Sequence, residues 1–222
     1  MSSDLVSYLD EIRNGDAKGQ PVPDGMLNEL RDIFPSDLVR AYQKFGCRLF
    51  KGGLIQTCLP GEFAGTLAII FGSDTQFHHK SWHAFAYSCF GTIYIWSKEM
   101  GVATVDLLKG SISSRGALGK IKQGTLIENQ IFVPFSVSDE ALDATDEAGN
   151  FLFQRSVKKC GPLEIGECYG FVPALAPGGV ADIDHVKRMN AAAHFSIVAQ
   201  TMNFNLIDVQ GYGKSVVVRP IA

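Results

Sequence analysis

The sequence lacks any run of about 18 consecutive apolar residues, the length a membrane-spanning helix needs. Its opening segment, MSSDLVSYLDEIRNGD, has no basic stretch ahead of an apolar core and does not read as a secretory signal. Positive charge is not in excess. The formal net charge is −3 and the pI is near 5.9. A dedicated nucleic-acid binder needs a basic face to neutralise phosphates, so this balance argues against one. Cysteine occurs five times, at Cys47, Cys58, Cys89, Cys160 and Cys168, and never in a CxxC spacing. Each sits among apolar or small neighbours, which predicts reduced core thiols in a cytoplasmic protein. The usual catalytic signatures are missing too. There is no GxGxxG after a strand, no phosphate loop ending GKS or GKT, and no GxSxG turn. The Gly211–Lys214 stretch, GYGK, runs into a strand and reads as a turn. No internal repeat or low-complexity tract is found.

What is present is ordinary globular material. Hydrophobic residues make up 46% and charged residues 19%, which excludes global disorder. A chain of 222 residues can bury a core without disulfides or metals. Helical spacing opens it: Leu5, Leu9 and Ile12, with Ser3 as N-cap and Gly15 as stop. Gly19 to Gly25 form a linker. Met26, Leu27, Leu30, Ile33 and Phe34 make a second apolar stripe. Pro35 starts a third helix that Gly46 ends, with Leu38, Tyr42 and Phe45 on one face. A further helix is expected over 61–71.

The period then changes. Residues 82–87 alternate, with His83, Phe85 and Tyr87 on one face, and residues 91–96 set Ile93 and Ile95 against Thr92, Tyr94 and Trp96. SCFG between them reads as a hairpin turn. A third antiparallel strand is expected over 102–108. Helices followed by a strand meander indicate an α+β fold, helices packed on an antiparallel sheet. Residues 109–122, KGSISSRGALGKIK, are the best boundary, dividing 1–116 from 117–222 as two closely packed halves. Residues 125–135 read as a short helix and 151–159 as another. A short strand is expected over 168–172, a long helix from Asp182 as N-cap through 183–203, and a last strand over 216–218. Ile183, Val186, Ala193, Ile197 and Phe204 trace the buried stripe of that long helix.

Three groups carry candidate chemistry. His78, His79 and His83 cluster in FHHKSWH, but Lys80 stands where a zinc-binding HExxH helix needs glutamate. A loop anchor or an exposed contact from His78, His79 and Trp82 is the expectation, with no metal. His185 and His194, nine residues apart, do not share a helical face and read as structural. Cys89 in the hairpin turn, near those upstream histidines, is the best nucleophile the chain offers, against the plainer reading of a buried, inert thiol. The third group is acidic. Between Gln123 and Gln154 there is no Lys or Arg, but there are six carboxylates: Glu128, Asp139, Glu140, Asp143, Asp146 and Glu147. A solvated face explains such a run; a docking surface for a basic protein does as well. Phe132, Phe135 and Phe151 are its candidate apolar anchors, or core.

Several phrases resemble a known family as a set. FPSDLVRAYQKFG and the stretch from Phe90 to Trp96 resemble the GAD-like domain, and set residues 1–116 apart as its candidate span. Residues 117–222 resemble the C-terminal domain of type VI secretion immunity proteins that protect against DNase effectors. The matching positions are Gly161, Leu163, Tyr169, Gly170, Phe171, Val172, Pro173, Ala174, Leu175, Gly178, Gly179, His194 and Gln200. Pro177 departs from that pattern.

The resemblance implies an SMI1/KNR4-like layout and a cytoplasmic immunity protein that binds and neutralises a cognate secreted nuclease. It supplies no catalytic residue and no cofactor. The expected partner surface is Asp139, Glu140, Asp143, Asp146 and Glu147, then His78, His79 and Trp82. No direct contact with nucleic acid or membrane is expected. The rival readings are a thiol- or metal-dependent hydrolase and a ligand-sensing or scaffold module of the same fold.

Overall fold

Three short helices open the fold, each set by a local signal. In the computed structural model, which describes residues 4–13, 19–122, 127–211 and 214–221, α1 (Leu5–Ile12) begins at Asp4. The Asp4 carboxylate accepts a hydrogen bond from the Ser7 amide at 3.4 Å. Ser3 and Gly15, the expected cap and stop, lie outside the described residues. Helices α2 (Asp24–Arg31) and α3 (Ser36–Phe45) each follow a proline, Pro23 and Pro35. Proline presets the backbone for a helix start, where its missing N–H is not needed. Gly46 ends α3 with φ 67°, and a side chain there would sit 2.1 Å from the Gln20 carbonyl.

One eight-stranded sheet forms the centre. Its spatial order is β1 (Leu49–Phe50), β2 (Ile55–Thr57), β3 (His83–Ser88), β4 (Thr92–Ser97), β5 (Gly101–Asp106), β6 (Ser111–Ser114), β9 (Asn205–Gly211) and β10 (Lys214–Pro220). All neighbours are antiparallel except β6 and β9, which are parallel. A smaller sheet pairs β7 (Glu167–Phe171) with β8 (Val186–Asn190). The remaining helices are α4 (Ala64–Phe71), α5 (Val133–Ser136), α6 (Asp139–Leu142), α7 (Phe153–Cys160) and α8 (Ala191–Gln200). The fold is α+β. No helix among the described residues is long and apolar enough to cross a membrane.

The sheet carries a hydrophobic cluster on each face. Tyr94 and Trp96 of β4 join α1–α3 on the first face; Ile93 and Ile95 join α4 and α8 on the second. This is the expected alternation. On β3 the expectation fails. A bulge between Ala84 and Ala86 puts Phe85 and Ala86 together in the first cluster, and Ala84 and Tyr87 in the second. One inserted residue shifts the pleat, so Phe85 and Tyr87 part company.

Two larger corrections concern the second half. The expected long helix over 183–203 is three elements: a 3-10 turn at Ile183–His185, strand β8, and α8. Residues 186–190 find a partner strand in β7, which buries Val186 and leaves Lys187 and Arg188 in solvent. Asn190 then caps α8, its side chain accepting from the Ala193 amide at 2.9 Å. Second, the Ser-rich stretch 109–122 contains β6. Strand neighbours on both sides override its linker-like composition. Strands β1 and β2, two and three residues long, carry no readable period.

The two halves share this architecture. Strands β9 and β10 extend the sheet built by the first half, and α8 lies beside α4. Phe195 of α8 stacks on Phe63 at 5.5 Å and meets Tyr87 edge-on at 5.7 Å. Gln56 of β2 is fully buried. Its Oε1 accepts from the Tyr87 hydroxyl at 2.8 Å and the Gly166 amide at 3.1 Å, and its Nε2 donates to the Glu167 carbonyl at 2.7 Å. Arg219 of β10 makes an ion pair with the buried Asp74, after α4, and donates to Gln76 at 3.0 Å.

Gln56→Leu leaves the Gly166 amide without its partner, and the Tyr87 hydroxyl and Glu167 carbonyl with only the 3.4 Å bond between them, so it should cost about 1–3 kcal/mol in urea unfolding; an unchanged midpoint would contradict this role. Acid gives a second test. The Arg219 hydrogen bond, with help from the Gln76 and Phe77 amides, holds the Asp74 carboxyl down at about 2. A depressed carboxylate stabilises the fold above its unfolded value, about 3.9, and that contribution disappears as pH falls toward 2. Arg219→Ala should flatten the loss of stability between about pH 4 and pH 2, as read from thermal melts.

Candidate functional site

The acidic run folds into a short ledge between α5 and α7, and its five central carboxylates divide by what they touch. Asp143 is half-buried. Its Oδ1 accepts from the Ala144 amide at 2.7 Å and the Phe153 amide at 2.9 Å, so it satisfies the open start of α7. Burial pushes its carboxyl up. Asp146 builds the next turn. Its Oδ1 accepts from the amides of Ala148 and Asn150 at 3.1 and 2.8 Å, and its Oδ2 pairs with Arg155 at 2.5 Å. The Arg155 hydrogen bond first, and Asn150 second, hold the Asp146 carboxyl at about 2. Both residues anchor the local backbone. Asn, Asp and Gly in DATDEAGN mark a tight turn, and that signal could have separated them.

Asp139, Glu140 and Glu147 are exposed. Asp139 meets Lys51 at 3.1 Å, and the same lysine donates to the Val137 carbonyl at 2.5 Å. Lys51 thereby ties the ledge to the first half and neutralises part of it. The aromatic candidates separate as well. Phe135 is fully buried, while Phe151 is 48% exposed, paired across the Asp146 turn with Thr145. The exposed groups of the ledge are therefore Asp139, Glu140, Glu147 and Phe151.

The histidine group is elsewhere. Phe77 and Trp82 belong to the cluster on the second face; Leu142 and Ala144, under the ledge, belong to the first. The structure does not bring the two predicted sets together. Trp82 is 1% exposed and stacks on Phe77 at 5.2 Å, so it offers no surface, a correction to its expected contact role. A large ring beside an apolar loop is worth more buried than exposed. His78 is exposed, and its ring stacks on His79 at 4.9 Å. His83 is half-buried against Phe34, where burial first and Lys98 second push its imidazole down. Among the described residues no group of three or more His, Cys, Asp or Glu is placed to hold a metal ion.

Cys89 is fully buried, and its thiol lies 3.8 Å from the Leu142 carbonyl. Burial pushes that thiol well up, which keeps it protonated and unreactive. Cys47, Cys58 and Cys168 are also buried, and Cys160 is partly so; all five cysteines are free.

Within the FVPAL-GG region Phe171 is buried, while Val172, Pro173 and Gly178 are exposed. The Tyr169 hydroxyl donates to the Gly161 carbonyl at 2.6 Å, and Phe171 stacks on Phe90 at 5.9 Å. A side chain at Gly170 would place its Cβ 2.3 Å from Nε2 of His194. Sequence spacing could not pair Gly170 with His194.

These elements define a two-part α+β protein with one shared sheet. Residues 5–108 match the GAD-like domain. Residues 122–202 match the C-terminal domain of the T6SS immunity protein Tdi1. The chain thus carries a GAD-like domain followed by a type VI secretion immunity domain. The full chain is also similar in fold to the crystal structure of Atu4351 from Agrobacterium tumefaciens, with 23% identity, a TM-score of 0.87 and 98% of each chain covered. No curated protein matches the sequence.

Gly170→Ala should displace the His194 ring and lower stability by about 1–3 kcal/mol. Pairing it with His194→Ala should recover much of that loss. If the single change is neutral in urea unfolding, the close contact is not a constraint.

Proposed function

We propose that this chain is an immunity protein that binds and neutralises a cognate type VI secreted nuclease, a DNase, in the bacterial cytoplasm. The observation that carries this reading is the match of residues 122–202 to a T6SS immunity domain, with the exposed acidic ledge inside it. Inhibition proceeds by occlusion of the toxin's active site or DNA-binding groove, without chemistry. A nuclease needs a basic groove to hold phosphates. Glu140, Glu147 and Asp139 present the opposite charge to it, and Phe151 supplies an apolar anchor. Charge of this kind chiefly speeds and selects the encounter, and the aromatic slows release. Protection for the life of the cell calls for nanomolar affinity, about −12 kcal/mol, and an interface near 800 Å² per partner. Asp143 and Asp146 hold the ledge in shape. The buried thiol of Cys89 weighs against the hydrolase reading, since it neither ionises readily nor reaches solvent.

The test is capture of the toxin by tagged protein from a bacterial lysate that contains its chromosomal neighbours, with a nuclease assay on what is captured. The expected result is a stoichiometric partner that digests DNA only once this chain is stripped away. Reversal of Glu140 and Glu147 to Lys should slow association and weaken its salt dependence, and Phe151→Ala should speed release roughly tenfold. Absence of any partner would overturn the reading. A partner that binds these variants like the original would move the interface off the ledge.

A further inference from the structure

The first face of the large sheet is open over β5, β6 and β9. Thr104 stands opposite Tyr94 of the first cluster, and Ser113 and Ile207 continue its row on the next two strands. A cleft of about 690 Å³ lies over this row. Two residues along from these, Val102, Arg115 and Val209 also line it, and Val133 of α5 joins them.

The lining carries three cations, Arg115, Lys120 and Lys122, against one carboxylate, Asp208. All three cations come from the single segment 115–122 after β6. Lys120 pairs with Asp208 at 2.5 Å, and among the described residues Arg115 and Lys122 have no carboxylate partner. A chain of net charge −3 therefore sets unpaired positive charge beside an apolar hollow. The floor adds two hydroxyls, on Thr104 and Ser113, which face each other across β5 and β6. Among the described residues neither hydroxyl has a hydrogen-bond partner. The apolar share is open to solvent as well, with Val209 exposed by 58% and Val133 by 39%.

The cleft is held in shape by groups other than these. Gln130 Oε1 accepts from the Val102 amide at 2.9 Å, which fixes the wall that leads into α5. Ser114 Oγ accepts from the Ala117 amide at 3.2 Å, and the Lys120–Asp208 pair ties the cationic segment to β9. A cavity that is already formed spares its ligand the cost of ordering it.

We propose that this cleft is a binding site for a small organic anion, a carboxylate or phosphate monoester carried on an apolar body. Its volume lies in the range of small-molecule pockets, roughly 300–1,000 Å³. The Arg115 guanidinium suits a two-pronged hydrogen bond to either anion, and Lys122 adds charge. The Thr104 and Ser113 hydroxyls donate to further oxygens, and Ile207, Val133 and Val209 take the apolar body. The sign of the charge sets this site apart from the acidic ledge, since a basic nuclease groove would be repelled here. Nucleic acid binds through a longer track of cations and would leave the valines uncovered.

The probes are naphthyl phosphate and naphthylacetate, titrated calorimetrically into the full chain beside uncharged naphthylethanol and cationic naphthylethylamine. Both anions should bind with Kd below about 1 mM, the alcohol at least roughly tenfold more weakly and the amine not at all. Whichever anion binds more tightly names the headgroup. Arg115→Glu with Lys122→Glu, both exposed and checked for folding by circular dichroism, should weaken the anions at least roughly tenfold and admit the amine. No binding of either anion up to about 1 mM overturns the proposal. So does equal binding of the alcohol, or anion binding that the double variant leaves unchanged. Displacement of the anions by oligothymidylate or a Glu-rich peptide at lower concentration would also overturn it, in favour of a polymer.

Discussion

Gln56 lies fully buried on the short strand β2, with both ends of its amide turned toward Gly166 and Glu167 of the second half. A buried primary amide is costly to leave unpaired, so the two halves must meet in one register for it to be satisfied. Everything near it depends on that register. Tyr87 shares the Gln56 oxygen, and Phe195 packs on Tyr87 and Phe63. The Tyr169 amide donates to the Cys89 carbonyl at 2.8 Å, which fixes β7 against the hairpin turn. The two halves of the chain are thus joined, and strands from both stand in the large sheet.

A single body suits the proposed role of holding a surface in shape. The ledge is rigid because its own carboxylates build it: Asp143 caps α7, Asp146 ties the turn to Arg155, and Lys51 fastens the start of α6. The ribbon β9–β10 is held at its root by Arg219 and Asp74 and by Lys120 and Asp208, which leaves its valines in solvent.

Much of the fold was legible. Helices with proline starts and glycine stops, and the alternation on β4, follow from backbone and pleat rules that act over a few residues. The strand β8 was not, because residues 183–204 have apolar spacing that suits a helix, and only the distant partner β7 decides otherwise. β6 was hidden by serines that resemble a linker, and the bulge on β3 left no mark on its composition. The site was legible in part. The acidic run was visible, but which carboxylates serve the backbone depends on where the amides of Ala144, Asn150 and Phe153 fall in space. Trp82 looked like a contact because its neighbours are polar; Phe77 and the second cluster bury it. The open face over β6 and β9 comes from pairing that local sequence does not encode.

The central claim is that this chain acts as a preformed binding surface. Hydrogen exchange of the free protein and of the protein bound to its captured toxin tests it most directly. The account predicts protection gained along residues 139–151, with both partners chemically unaltered and the large sheet unchanged. Protection spread through the core, or a toxin released cleaved or covalently modified, would contradict it.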